Sequence, residues 1–303
     1  MFFSIVITTY NAEPYILDAL NSLKNQTFQD FEWIITDDFS TDNTLDVCKA
    51  WVAKHPQFQS RLKIIESKIN TGISANTNRG LKVASGKWIH VLSGDDALVE
   101  SALEKTYDFV NAHPEFSIFQ GIAALYNNDF SESNFIGHLS ENYKTSDFFN
   151  RSVNRQYQML LDWCHVVAPA VFYKKDSVES VGFCDENIPM IDDWPLYLKF
   201  TKHGYKIHFW NQILVKYRQH KTSIANENKG FLLTDIHRKC RPVYRNYIAP
   251  NIGFFKKIKY HSTYIFKDVL YRFFNSKNNP IALSMLFVWR LFKKPSLAKK
   301  IET

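Results

Sequence analysis

Three pairs of adjacent aspartates punctuate the chain: Asp37-Asp38, Asp95-Asp96 and Asp192-Asp193. Neighbouring negative charges repel, and each needs solvation or donors that a core does not offer. The stretch WIHVLSGDDALV, residues 88–99, makes the conflict acute, because its pair ends an apolar run of strand length. A divalent cation removes the repulsion. Hard oxygen ligands suit Mg2+ or Mn2+, above all when the cation is shared with a diphosphate. The third pair opens DDWPLYLKF, where Pro195 suits the first turn of a helix. A helix N-terminus favours an ionised carboxylate, which fits either a helix cap or a general base.

Such groups need a frame, and the first hundred residues alternate strand and helix. Strands are predicted at 2–8, 31–36, 62–66 and 87–92. After Pro14, Ile16, Leu17, Leu20 and Leu23 fall on one helical face. Ser40 can cap a second helix carrying Leu45, Cys48 and Trp51, and a third runs over 73–86 to Gly86. Strands apolar on both faces and alternating with helices imply an α/β fold with a mostly parallel sheet flanked by helices. Farther on, the pattern predicts a helix at 99–113, a strand at 116–126 and a polar, mobile loop at 127–157. A strand at 165–175, a short helix capped by Asp176 and a helix at 193–204 follow. YKIHFW and ILVKYR read as a final strand pair, and long basic-aromatic helices begin after about residue 227.

In open parallel sheets, ligands bind at the carboxyl ends of the strands. Those ends carry Thr8, Thr9, Tyr10 and Asn11, then Asp37 and Asp38, Asn70, and Asp95 and Asp96. Any one of them fits an ordinary turn. Their convergence on one rim is what points to a ligand. No GxGxxG or GxxxxGK[ST] loop follows the first strand, which excludes dinucleotide and P-loop sites. A sugar nucleotidyltransferase needs a glycine-rich, Arg/Lys-bearing loop there, and TTYNAEP is not one. A non-catalytic nucleotide-sugar scaffold is expected to have lost a carboxylate pair, and none is missing.

SIVITTYNAEPYILDALNSLKNQTFQDFEWIITDDFSTDNT, NTGISANTNRGL and ASGKWIHVLSGDD together resemble glycosyltransferase family 2, of the bacterial surface-polysaccharide type. The likeness continues through VGFCDENIPMIDDWPLYLKFTKHGYKI to YRQHKTSI, spanning roughly residues 3–226. It implies a GT-A fold and an inverting transferase dependent on Mn2+ or Mg2+. Its donor would be a nucleotide sugar, UDP favoured, and its acceptor a glycan or lipid-linked glycan. By resemblance, Thr8, Thr9, Tyr10 and Asn11 hold base and ribose, Asp38 accepts the base imide N–H, and Asn70 lines the same pocket. Asp96 contacts the metal directly, and Asp95 faces the ribose or the metal's waters. Asp193 is the general base and Asp192 its helper. In YRQHKTSI, Arg218 is a diphosphate contact and His220 an extra metal ligand or diphosphate contact. Two positions depart from the family pattern. Ser93 stands where an acid is common, and Thr77 where an arginine is common, with Arg79 two residues later on another helical face.

The likeness divides the chain into a transferase domain, 1–226, and a helical basic extension, 227–303. Within the domain, 1–97 is the nucleotide-binding half and 98–226 the acceptor half. The net charge of +7 belongs to the extension: beyond residue 250 stand eleven Lys/Arg against two acids. Lys and Arg alternate there with Leu and aromatics, so residues 251–303 suit an anionic membrane surface better than nucleic acid. Packing on the core or an oligomer contact are the alternatives. Four cysteines without metal-ligand spacing fit reduced thiols in the cytoplasm. The opening MFFSIVITTYN reads as a strand rather than a signal peptide. A cytoplasmic enzyme, peripheral at the inner face of the membrane, is therefore expected.

Overall fold

β1 (Phe3–Thr9) is covered on both faces by helices, and apart from a half-buried Thr8 it is buried throughout. Phe3, Ile5 and Ile7 point into one core and Val6 into another, as the two-residue strand period requires. The structure, a computed structural model, describes residues 1–139, 147–220 and 234–274, with 281, 284 and 285. The expected features within 140–146, 221–233 and most of 275–303 lie outside the described residues.

β2 (Phe31–Asp37), β3 (Leu62–Glu66) and β4 (Trp88–Ser93) join β1 in parallel, in the order β3-β2-β1-β4. The register sets Thr9 beside Asp37 and Thr8 beside Ser93, so their carboxyl ends form one level rim. The sheet continues through β8 (Val171–Lys174), β6 (Ile118–Asn127), β9 (His208–Gln219) and β5 (Ala97–Leu98), with β7 (Phe135–His138) on β6. α1 (Ile16–Lys24), α2 (Thr44–Lys54) and α4 (Ala102–Ala112) lie with the Ile5 core. α3 (Ile73–Val83), α6 (Val153–Leu160), α7 (Lys175–Val181) and α8 (Asp193–Lys202) lie with the Val6 core.

Several boundaries differ from the sequence expectation for tertiary reasons. α3 stops at Val83, because Ala84 is extended. Gly86 instead lets the chain pass β1, where an added Cβ would lie 2.5 Å from the Ser4 nitrogen. Ser40 does not cap α2; it donates to Asp37 from both its N–H and its hydroxyl. Asp176 lies inside the first turn of α7 rather than capping it. The expected final strand pair is one continuous β9, and register breaks against β6 near Ile122 accommodate its polar centre.

The expected mobile loop at 127–157 contains β7, α5 (Asp147–Asn150) and much of α6. It is anchored by buried Phe148 and Phe149 and by Gln156. The Gln156 amide donates to the Phe148 and Ile207 carbonyls and accepts from Ile207 N–H. Those partners are remote in sequence, so no local periodicity announces them. Beyond β9, α9 (Thr234–Val243) and a π-helical turn at Tyr244–Ile248 lead to α10 (Phe254–Phe274).

Candidate active site

The rim of β1 and β2 is held by its own side chains. The Asp38 carboxylate accepts from Thr71 N–H at 3.0 Å, the Thr71 hydroxyl at 2.7 Å, Gly72 N–H at 2.7 Å and Arg79 Nη2 at 2.7 Å. Burial alone would raise this carboxyl; the Arg79 and Thr71 donors outweigh it and hold it below the ordinary carboxylate range. Its accepting capacity is therefore largely spent on the turn leading into α3. Asn70, exposed just before that turn, makes no such bond. Tyr10 is half exposed, and Asn11 adopts φ +52° while accepting from Thr41 N–H at 2.8 Å. Thr8 presents its carbonyl to Gly94 N–H at 2.9 Å. The Thr9 hydroxyl is buried without a hydrogen-bond partner among the described residues.

Asp95 and Asp96 point to different surroundings. Asp96 is 1% exposed and accepts the Arg218 backbone N–H at 2.8 Å. Burial, then the charge of Asp95, pushes its carboxyl well above the usual range. Asp95 is the open one: its side chain is 25% exposed, with Oδ2 3.0 Å from His220 Nε2. The His220 ring rests on Tyr15, centroids 4.3 Å apart. The expected direct metal contact, Asp96, is thus directed into the protein, and Asp95 takes the accessible place. The reason is β9, whose backbone needs an acceptor where it crosses the turn.

Arg218 also departs from expectation. It is 3% exposed, and Nε donates to Asp95 O at 2.7 Å, Nη1 to Asn128 O at 2.6 Å and Nη2 to Asp18 at 2.5 Å. Phe130 covers the guanidinium at 4.1 Å. This arginine clamps the Asp95 turn to β9 and α1 rather than facing a diphosphate. Arg218→Leu is expected to cost about 2–3 kcal/mol of unfolding free energy in urea titrations, since two carbonyls and Asp18 lose donors.

Asp192 and Asp193 open α8, both half-buried. Asp193 Oδ1 accepts Trp194 N–H at 2.7 Å, and Asp192 Oδ2 accepts the Thr77 hydroxyl at 3.1 Å. Burial, then the Asp192 charge, pushes Asp193 up to about 7, and burial raises Asp192 as well. The thiols of Cys164 and Cys184 and the phenols of Tyr173 and Tyr197 are pushed up too. They surround the pair as neutral groups and supply no counter-charge.

One face of α3 joins this pair to the rim. Ser74 donates to Ile188 O at 2.6 Å, and Asn78 pairs with the Cys184 backbone through both its amide atoms. Gly72, at φ +88°, lies so close to Pro189 that a Cβ would come within 2.6 Å of it. From the interior side, Asn76 donates to the Thr9 and Thr36 carbonyls. The strand-end rim and the Asp192-Asp193 pair thus lie at opposite ends of one rigid connection. The family model described as Glycosyl transferase family 2 matches residues 4–178, more than half the chain.

The chain belongs to glycosyltransferase family 2.

An Escherichia coli relative, UDP-Glc:alpha-D-GlcNAc-diphosphoundecaprenol beta-1,3-glucosyltransferase WfaP, is 27% identical over 232 residues, covering 76% of this chain and 82% of its own. S. aureus TarS in complex with UDP-GlcNAc superimposes with a TM-score of 0.60 at 18% identity, covering 90% of this chain and 73% of that one. The mannosyltransferase PcManGT from Pyrobaculum calidifontis, in complex with GDP-Man and Mn2+, gives 0.56 at 16% identity, covering 96% and 79%. These structures share the GT-A fold of this glycosyltransferase.

Several residues of this family member become visible only in the structure. Arg79 reaches Asp38 although it sits two places from the usual family arginine. Phe39, half exposed at φ +68°, stands on the rim beside it in a conformation uncommon for a bulky residue. Trp163, 54% exposed, lies 6.4 Å from Trp194, which follows Asp193, with the two rings tilted to each other. Exposed aromatics beside a charged motif were the available clue. Among the described residues, no three His, Cys, Asp or Glu side chains converge. Asp95 and His220, 3.0 Å apart, are the two side chains here that could together hold a divalent cation, Asp95 supplying the hard carboxylate oxygen that suits Mg2+ or Mn2+.

Proposed function

We propose that this glycosyltransferase moves a sugar from a UDP donor to a hydroxyl of a lipid-linked surface glycan, with inversion at the anomeric carbon. The observation that carries this is Asp193, raised to about 7 at the opening of α8 and tied through Asp192 and Thr77 to the nucleotide rim. A carboxylate of that basicity takes a proton near neutral pH more effectively than an ordinary aspartate.

In the proposed step, Asp193 accepts the acceptor hydroxyl's proton as that oxygen bonds to the anomeric carbon. The bond to the diphosphate breaks on the opposite face, and UDP leaves with the electron pair. Asp192, held by Thr77, keeps Asp193 oriented and basic. Asp95 and His220 would hold Mn2+ or Mg2+, which when bound neutralises charge on the departing diphosphate. Residues 1–97 bind the nucleotide and 98–226 the acceptor. Asp38 contributes by fixing Thr71, Gly72 and Arg79, leaving the base to Tyr10, Asn11 and the Asn70 edge. The UDP-Glc donor and diphosphoundecaprenol acceptor of WfaP, and the UDP-GlcNAc bound to TarS, support the UDP donor, and WfaP supports the lipid-linked acceptor; an acceptor of that kind would suit an enzyme working at the inner membrane face.

The test is release of nucleoside diphosphate from a nucleotide-sugar panel, with Mn2+ and with excess chelator. Consumption of a UDP-sugar that falls at least about tenfold on chelation is expected. Consumption indifferent to chelator, or confined to GDP- or ADP-sugars, removes the metal or donor assignment respectively. The anomeric configuration of the product, read by NMR, decides inversion.

A further inference from the structure

α10 has two unlike faces. Tyr260 and Tyr264, one turn apart, pack toward the body with ring contacts to Tyr244, 5.3 and 5.1 Å between centroids. The Tyr260 hydroxyl donates to Asp162 O at 3.2 Å, and Lys256 pairs with the Asp162 carboxylate at 3.1 Å. Phe254, Phe255, Ile258 and Ile265 turn away from that contact, at about 100° per residue. Their exposures are 70%, 85%, 50% and 48%. Lys257 and Lys259 are exposed among them, and no acid occurs from Phe254 to Phe266.

Four large apolar side chains held in water along one stripe, interleaved with cations, match an anionic lipid surface in both polarity and charge. The helix does not match a spanning segment: none among the described residues is long and apolar enough to cross a membrane. We infer that the Phe254–Phe255–Ile258–Ile265 stripe is a docking face for an anionic bilayer, on which α10 lies in the interfacial plane. This rests on the proposed lipid-linked acceptor and adds where the membrane meets the protein. The mount is informative: Asp162, which anchors α10, precedes Trp163, whose ring neighbours Trp194 beside Asp193. Docking through the stripe brings the acceptor side of the site to the surface where a lipid-linked glycan resides.

The experiment is co-sedimentation of the full chain with vesicles rich in phosphatidylglycerol and with vesicles of phosphatidylcholine alone. The wild type is expected to bind the anionic vesicles preferentially. Phe254→Ser/Phe255→Ser/Ile258→Ser is expected to weaken that binding at least about tenfold. Lys257→Glu/Lys259→Glu is expected to abolish the preference for phosphatidylglycerol. All three proteins should consume donor sugar in solution at the same rate, which also shows that the variants are folded. Equal sedimentation of the wild type and the triple variant overturns the inference. So does concentration-dependent dimerisation that the triple variant abolishes without any vesicle binding. A chain that consumes donor but ignores vesicles sinks the docking face alone, and one that binds vesicles without consuming donor sinks the transferase proposal alone.

Discussion

Asp193→Asn lowers kcat for sugar transfer by about 10²–10⁴-fold, the range a general base supplies, while UDP affinity stays within about twofold. The amide keeps the shape and the bond from Trp194 N–H but cannot take a proton. In the wild type the acid limb of kcat/KM falls near pH 7, because burial and the Asp192 charge push Asp193 to about 7. The sign is set by the required form: a base works deprotonated, so activity rises with pH through that value. Asp192→Asn removes the neighbouring charge and moves the limb to lower pH with transfer preserved. A limb unmoved in Asp192→Asn, or near-normal turnover in Asp193→Asn, removes Asp193 from the role.

The same shift appears in stability. Asp193 is raised from 3.8 to about 7, so its contribution to the folded state is greatest below 3.8 and is lost as pH rises through 7. Asp193→Asn therefore melts above the wild type at pH 8, and the gap closes toward pH 4. Calorimetry at the two pH values measures it independently of catalysis. An ordinary helix-capping aspartate predicts the opposite, a variant less stable at pH 8.

Asp95→Asn and Asp96→Asn should differ sharply although the residues are neighbours. Asp95→Asn removes the accessible carboxylate beside His220, with an expected loss of at least about 10²-fold in kcat/KM and of the response to Mn2+. Asp96→Asn preserves a carbonyl oxygen for the Arg218 N–H, so it should lose no more than about tenfold and keep its Mn2+ response. Titration of Mn2+ against donor consumption separates them. A larger loss in Asp96→Asn would restore the direct metal contact to that residue.

Much of this was legible in the chain. The strand ends, the order of their motifs and the α/β alternation are local patterns, and each survives in the sheet to within a few residues. Gly86, Ser40 and residues 147–157 were not legible, because their conformations are set by β1, Asp37 and Ile207, all distant or on another element. Arg79 shows the limit most plainly. Helical phase put it on a different face from Thr77, yet its long side chain reaches Asp38 around the turn that Thr71 forms.

Sequence alone determined which residues arrive at the rim, since a parallel strand delivers its carboxyl end to one edge whatever packs around it. Tertiary structure decided what each does there. Asp95 and Asp96 differ in surroundings because Arg218 of β9 and His220 just past its end, each more than 120 residues away, supply a backbone donor to Asp96 and an imidazole to Asp95. Arg218 is spent on the clamp because Asp18, Asn128 and Asp95 all reach it first. The Asp193 carboxyl is raised to about 7 because burial beside Asp192, among groups that stay uncharged, makes its negative charge costly. Orientation, pairing and desolvation are sums over contacts remote in sequence, and only the folded chain performs them.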